Sequence, residues 1–291
     1  MSAAARVGAS PTIGGLLRWG ESELGGGDSP RLDAELLLAG ARGCSRAALF
    51  RDRDEAPAAD VTDLYLRWIA ERARGVPVAY LVGRREFWSL DLEVTAATLI
   101  PRPETELLVE RALELVGDRA GFRVADLGTG SGAIALAIAS ERPEVSVVAT
   151  DVCEGALAVA VRNAARLGIG NVSFRRSRWF GSLSGEIFDL VVSNPPYVRA
   201  GDPHLREGDP RFEPETALVG GADGLEAIRE IVAEAYSHLA PGGSLAVEHG
   251  HDQGAGVRGL MIAAGYRDVL TFRDLADRER ATSGRRPHGD G

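Results

Sequence analysis

From Gly121 to Glu248 the sequence alternates between two kinds of segment, and that alternation limits the fold more than any other feature. "FRVADLG", "VSVVAT", "NVSFRR", "IFDLVVS" and "GSLAVEH" are short apolar runs that read as buried strands. "SGAIALAIASE", "EGALAVAVRNAARLG" and "DGLEAIREIVAEAYSHL" carry helical patterns between them. Strands joined through helices run parallel, with the helices on both faces of one sheet. The pattern therefore predicts an α/β domain with a largely parallel sheet. Short strands at about 267–273 and 278–284 are expected to close it, and "RRPHGDG" is expected to fray.

The first 85 residues follow another rule. In "TIGGLLRWGESEL" (12–24) the apolar positions are Ile13, Leu16, Leu17 and Leu24. "DSPRLDAELLLAG" (28–40) offers Ser29 as a cap, Pro30 at the first helical position and Gly40 as a stop. "SRAALF" (45–50) reads as a short third helix. In 60–75, Val61, Leu64, Trp68 and Ile69 share one face and Gly75 ends the helix. Residues 86–100 alternate like a strand pair. A chain of 291 residues has room for two domains, so we expect a helical domain over 1–85, a β-hairpin linker over 86–100 and the α/β domain over 101–291.

Acidic residues outnumber basic ones by 42 to 33, and the net charge of −9 disfavours loose binding to nucleic-acid phosphates. The only cysteines, Cys44 and Cys153, lack metal-ligand spacing, which argues for a reducing compartment and against a disulfide framework. "MSAAARVGAS" has no signal-peptide apolar core and no segment is long enough to span a bilayer, so a cytoplasmic protein with no membrane partner is expected.

"DLGTGSGAIA" (126–135) joins the first strand of the α/β region to its helix. Gly128, Gly130 and Gly132 allow a tight turn and a close approach by a ligand. Asp151 follows about 20 residues later, where a carboxylate holds ribose hydroxyls. The loop suits a nucleotide-type ligand, and by itself it serves NAD and S-adenosylmethionine alike.

A second loop makes the distinction. "DLVVSNPPYVRA" (189–200) runs from a core strand into Asn194, Pro195, Pro196 and Tyr197. That strand is expected beside the glycine-loop strand, across the point where strand order reverses, so the residues past its end face the ligand. Pro195 biases Asn194 to an extended backbone and the prolines stiffen the turn. The Asn194 side-chain oxygen and the Pro195 carbonyl are then two fixed acceptors for the two hydrogens of an –NH2 group. Held in that way, the nitrogen lone pair is aimed at an electrophile and its growing positive charge is stabilised. Tyr197 offers a flat face to a planar amide or base. Methyl transfer from a sulfonium fits such a site, since the electrophile is already activated and position contributes most.

The helical start, "LIPRPETE" (99–106), "DLGTGSGAIALA" (126–137), "VSNPPY" (192–197), "DPHL" (202–205), "RFEPETAL" (211–218) and "EHG" (248–250) occur in this order along nearly the whole chain. Together they resemble the release-factor glutamine methyltransferases of the HemK/PrmC type. The resemblance implies a seven-stranded, mostly parallel Rossmann-like class I methyltransferase domain behind a small helical bundle. It implies S-adenosylmethionine as methyl donor and the glutamine of the Gly-Gly-Gln loop of class I peptide chain release factors as acceptor. Carried onto this sequence, Gly128, Thr129, Gly130, Ser131 and Gly132 line the methionine part of the cofactor, Asp151 binds its ribose and Trp179 lies against its adenine. Asn194 faces cofactor and substrate, and with Pro195, Pro196 and Tyr197 clamps the glutamine amide. Asn194, Pro195 and Tyr197 are the expected catalytic residues, no metal is involved, and the helical domain docks the release factor without direct contact to nucleic acid. Arg178 departs from the pattern, because the family usually has an acidic residue before the tryptophan and a guanidinium can only donate. A backbone carbonyl is expected to take its place, with weaker cofactor binding at worst.

Three other readings remain possible from sequence: an adenine-N6 DNA or RNA methyltransferase with the same clamp, an inactive binding module and an NAD oxidoreductase. Arg102, Glu104 and Glu106 read mainly as a helix start. His204, His249 and His251 read as turn or surface residues, and "RERATSGRR" (278–286) as a solvated terminal strand.

Overall fold

The computed structural model describes residues 11–288. The opening decapeptide and the last three residues of the expected frayed end lie outside the described residues. The chain divides into two compact units at Arg84/Arg85.

The first unit is helical, with α1 (Ile13–Glu23), α2 (Pro30–Arg42), α3 (Arg46–Arg51), α4 (Ala59–Ala73) and α5 (Val78–Val82). Thr12 caps α1 by accepting from the Gly15 amide at 3.2 Å. Its core gathers Ile13, Leu16, Leu37, Leu38, Leu49, Tyr65 and Ile69. Two expectations are corrected here. Helix α2 runs through Gly40 and stops at Gly43, whose φ of 65° makes the left-handed cap. Gly40 serves packing instead, since a Cβ there would come within 3.0 Å of Val82 and 3.3 Å of Trp68. The buried face of α4 centres on Tyr65, Leu66 and Ile69, with Val61 and Trp68 at its margin. Tyr65 can be buried because its hydroxyl donates to the Leu16 carbonyl at 3.2 Å.

The second unit opens with a hairpin, β1 (Arg84–Phe87) and β2 (Leu90–Glu93). Its two turn residues, Trp88 and Ser89, both have positive φ, as a tight hairpin turn requires. Phe87 and Leu92 are buried in the main core of this unit. A 3₁₀ turn (Pro103–Thr105) leads into α6 (Glu106–Val116). Then follow β3 (Arg123–Leu127), α7 (Ala133–Glu141), β4 (Ser146–Asp151), α8 (Glu154–Leu167), β5 (Val172–Arg176) and β6 (Phe188–Ser193). After β6 come α9 (Glu215–Leu218), α10 (Glu226–His238), β7 (Leu239–Glu248), α11 (Gly254–Ala263), β8 (Arg267–Arg273) and β9 (Glu279–Arg285). Helix α11 has no clear sequence signal, since Gly254, Gly256 and Gly259 weaken it.

Seven strands form one sheet in the order β5-β4-β3-β6-β7-β9-β8. The first five in that order are parallel, and β9 runs antiparallel to both its neighbours. Val124, Leu190 and Val192 face one core; Ala125, Leu127 and Val191 face the other, as two-sided burial of a sheet demands. The reading of 278–286 as a solvated strand is corrected. Strand β9 is bonded along both edges, and Ala281–Gly284 are buried. His249 is likewise buried, not at the surface, with Nδ1 donating to the Gly250 carbonyl at 2.8 Å and Nε2 lying 2.8 Å from Thr282 Oγ1. His204 and His251 are exposed. Among the described residues no helix is long and apolar enough to cross a membrane, and no His/Cys/Asp/Glu group could hold a metal.

Candidate active site

Strand order reverses between β3 and β6, so the loops leaving these two strands diverge and a crevice opens at their carboxyl ends. Leu127 pairs with Thr150 on one side and Ser193 on the other, which brings the glycine loop, Asp151 and Asn194 to the same edge. A cavity of about 720 Å³ occupies that edge. Gly128, Thr129, Gly130, Ser131, Asp151, Trp179, Asn194 and Pro196 all line it.

The glycine loop is folded back onto β4, with the Gly128 and Thr129 amides both donating to the Thr150 carbonyl at 2.8 and 2.9 Å. Gly132 takes no part in the lining. Its φ is 86°, and a Cβ there would lie 3.0 Å from Leu136 and 3.2 Å from Ala160, so it seats α7 against α8. Asp151 is held by two backbone amides, Gly130 to Oδ2 at 2.9 Å and Cys153 to Oδ1 at 2.8 Å. Burial raises its pKa and these bonds oppose the rise. Behind the loop, the fully buried Asp126 accepts from Thr129 Oγ1 at 2.7 Å and the Ala135 amide at 3.2 Å, while its Oδ1 has no partner. Burial pushes this carboxyl up to about 7.

Trp179 packs beside Gly128 and has a φ of 44°. Its indole N–H donates to Glu230 Oε2 at 2.8 Å, and Arg178 Nη2 pairs with the same carboxylate at 2.6 Å. Sequence reasoning missed Glu230, which comes from α10 and lines the cavity. An acidic group, absent at position 178, is thus present beside the tryptophan, contributed by another element.

The loop after β6 is built from below. Asn194 Nδ2 donates to Thr105 Oγ1 at 3.2 Å. This bond fixes the carboxamide so that nitrogen faces Thr105 and oxygen faces away. Pro195 is buried and Pro196 half-buried. Tyr197 is not among the lining residues. Its ring packs on the core and its hydroxyl donates to Glu248 Oε1 at 3.2 Å. Glu248 is buried, and burial pushes its carboxyl up to about 7 against the opposing hydroxyls of Thr105 and Tyr197. Thr105 and Glu248 lie within recognised sequence motifs, yet nothing in their spacing signals that one meets Asn194 and the other Tyr197.

Arg102 proves to be more than part of a helix start. It lines the cavity and pairs with the buried Glu213 at 2.6 Å, while the other Glu213 oxygen accepts from the Ile100 amide at 3.1 Å. "IPRPETE" and "RFEPETAL" are therefore two sides of one clasp. Glu106 begins α6 and accepts from the Trp88 amide at 2.9 Å.

Two family models match: the PrmC N-terminal domain over residues 15–83, and the methyltransferase small domain over 103–206. The release factor glutamine methyltransferase of Xylella fastidiosa (strain Temecula1) is 55% identical over 257 residues, 88% of this chain and 94% of the relative. That of Pseudomonas aeruginosa is 54% identical over 274 residues, 94% of this chain and 98% of the relative. Among solved structures, the hMettl16 catalytic domain in complex with MAT2A 3'UTR hairpin 6 superposes with a TM-score of 0.57 at 18% identity, covering 76% of this chain and 82% of that one. This last likeness is one of fold alone. The readings as a nucleic-acid methyltransferase, an inactive module or a dinucleotide oxidoreductase are not favoured by relatives this close. On sequence identity that runs through both units, the chain belongs to the release factor glutamine methyltransferases.

Proposed function

We propose that this protein transfers a methyl group from S-adenosylmethionine to the side-chain amide nitrogen of the glutamine in the Gly-Gly-Gln motif of class I peptide chain release factors. The observation that carries the reading is that Asn194, at the tip of β6, lines the same cavity as Gly128–Ser131 and Asp151. The cavity volume, about 720 Å³, lies in the ~300–1,000 Å³ range of small-molecule sites.

The donor set fits the cofactor. Asp151, already oriented by two amides, accepts from ribose hydroxyls. Trp179 supplies a face for adenine, and Gly128 to Ser131 leave room for the methionine moiety. Bound there, S-adenosylmethionine supplies a methyl group activated by its own positive charge. The chain's part is position. Asn194 Oδ1 and the Pro195 carbonyl accept the two N–H bonds of the glutamine amide, which orients the nitrogen and spreads the positive charge that develops on it. Tyr197 serves this clamp by holding the loop through Glu248. The helical unit docks the release factor, and the setting is the cytoplasm.

Incubation with methyl-labelled cofactor and a purified class I release factor is expected to place label on the glutamine of the Gly-Gly-Gln tripeptide, read by peptide mass spectrometry. Label elsewhere, or none, would reject the reading.

Glu230 is the acceptor we assign to the adenine amino group in place of the missing acid at position 178. Glu230→Ala removes that acceptor and frees the Trp179 indole. Calorimetry is expected to show roughly tenfold weaker cofactor binding, about 1.4 kcal/mol, with kcat near that of the unaltered protein. Arg178→Ala leaves the carboxylate in place and should stay within about threefold.

A further inference from the structure

We propose that Gln253 is a positioning residue for the amide clamp: its carboxamide ties the Tyr197 carbonyl to the segment 220–224 and so fixes where Asn194 and the Pro195 carbonyl stand. The inference rests on the glutamine-methylation reading and adds a residue to it.

Gln253 is the only glutamine of the chain. It stands just before α11, 6% exposed, and does not itself line the cavity. Its backbone is held on both sides. Its amide donates to the Gly250 carbonyl at 3.0 Å, and its carbonyl accepts from the Val257 amide at 3.0 Å. The Gly250 carbonyl also accepts from His249 Nδ1 at 2.8 Å, so the turn from β7 to α11 is a firm base. From that base the side chain reaches two other segments. Oε1 accepts from the Gly250 amide at 2.8 Å, while Nε2 donates to the Tyr197 carbonyl at 3.0 Å and to the Gly224 carbonyl at 3.3 Å. The oxygen and both N–H bonds are engaged, and a flipped amide would set its oxygen against two carbonyls. The surroundings are cut to this group. A Cβ on Gly224 would fall 2.3 Å from the Tyr197 oxygen and 2.6 Å from Gln253 Nε2, and a Cβ on Gly250 would fall 3.0 Å from Oε1.

The bond to Tyr197 reaches the reaction through the backbone. Tyr197 lies three places after Asn194, and the two prolines between them have locked φ angles. The Tyr197 hydroxyl is fastened to Glu248 at 3.2 Å, and the Gln253 bond fixes the main chain of the same residue. A stiff arm anchored at its far end has one height, so Asn194 Oδ1 and the Pro195 carbonyl oxygen are offered at one place. Gly220 and Gly221 line the cavity with Asn194 and Pro196, and the Gly224 carbonyl held by Nε2 belongs to that stretch. An apolar side chain of the same volume would fill the space, but it would leave both carbonyls without this donor.

Wild-type protein is assayed first with release factor and labelled cofactor. No methylation there would sink the proposed function, a different result from failure of this inference. Gln253→Met keeps length and volume and removes the side chain's hydrogen bonds. It is expected to lower kcat at least about tenfold, with KM for the release factor and calorimetric affinity for S-adenosylmethionine within about threefold. Because the residue acts through the clamp, the same substitution added to Asn194→Ala should cost less than about threefold more. A Gln253→Met kcat within about twofold of wild type overturns the inference, as does an equal fold-loss in the two backgrounds. A lone glutamine also allows a measurement that needs no variant. In wild-type protein isotope-labelled at its glutamine side chain, the amide protons should exchange at least about tenfold slower than those of free glutamine, read by NMR. Exchange at the free rate overturns the inference whether or not Gln253→Met folds.

Discussion

Asn194→Ala is expected to reduce kcat for glutamine methylation by roughly 10²–10³-fold, the usual cost of deleting one preorganised polar group aimed at developing charge. The amide nitrogen of glutamine is a weak nucleophile, and its orientation toward the methyl group is what the site must supply. With Asn194 truncated, one of its N–H bonds has no acceptor and the nitrogen turns freely. The fold should tolerate the change, because the side chain's bond is to Thr105 at the cavity edge. Asp151, the glycine loop and Trp179 are untouched, so cofactor affinity should fall only a fewfold. Asn194→Asp separates the two halves of the argument. It keeps an acceptor toward the substrate and loses the donor toward Thr105, so a smaller loss than for alanine is expected. Single-turnover methylation and calorimetry on both variants check this, and an alanine variant with near-normal kcat would dismiss the clamp.

The placement of Asn194 was legible in the sequence because period and topology are coupled. Alternating strands and helices force a parallel sheet, and a parallel sheet puts its ligand where strand order reverses. Knowing that β6 neighbours β3 was enough to bring residue 194 to residue 128. What stayed hidden depends on pairs distant in the chain. Glu230 reaches Trp179 from α10, and Glu213 reaches Arg102 across more than a hundred residues. A carboxylate in a helix and one in a loop carry no periodic signal saying which cation or indole they will meet. Strand β9 is hard to read from sequence for another reason. Its buried residues include Thr282 and Ser283, and small polar side chains inside a sheet look like solvated ones until their partners, such as His249 and Thr271, are known. Gly40 reads as a stop because glycine usually ends helices, whereas close packing against Val82 and Trp68 is what selects it.

Gly220→Ala should be nearly as damaging to activity as loss of Asn194, although residue 220 offers the reaction no functional group. The chain passes Val198 and Val219 side by side, with the Val198 amide donating to the Leu218 carbonyl at 2.8 Å and the Gly220 amide to the Val198 carbonyl at 2.9 Å. This short bridge is what sets the height of the Asn-Pro-Pro-Tyr loop. A Cβ on Gly220 would lie 2.4 Å from the Pro196 carbonyl oxygen, 2.7 Å from that of Gly224 and 2.9 Å from Tyr197 Cα. All three are backbone atoms, so no side chain can swing aside to make room. Pro195 and Pro196 cannot absorb the shift through φ, and the displacement passes to Asn194. A misplacement of about 1 Å at a reacting centre costs ~10²-fold in rate, and that is the loss expected in kcat. Overpacking of this kind costs about 1–3 kcal/mol in stability, so the variant should still fold with a lowered Tm. Gly170→Ala is the matched control, since a Cβ there meets nothing within 4 Å and its activity should stay within about twofold. If Gly220→Ala methylates release factor as fast as the control, the loop does not owe its position to this contact. Preorganisation of the clamp would then have to come from the bond of Asn194 to Thr105 and those of Tyr197 to Glu248 and Gln253.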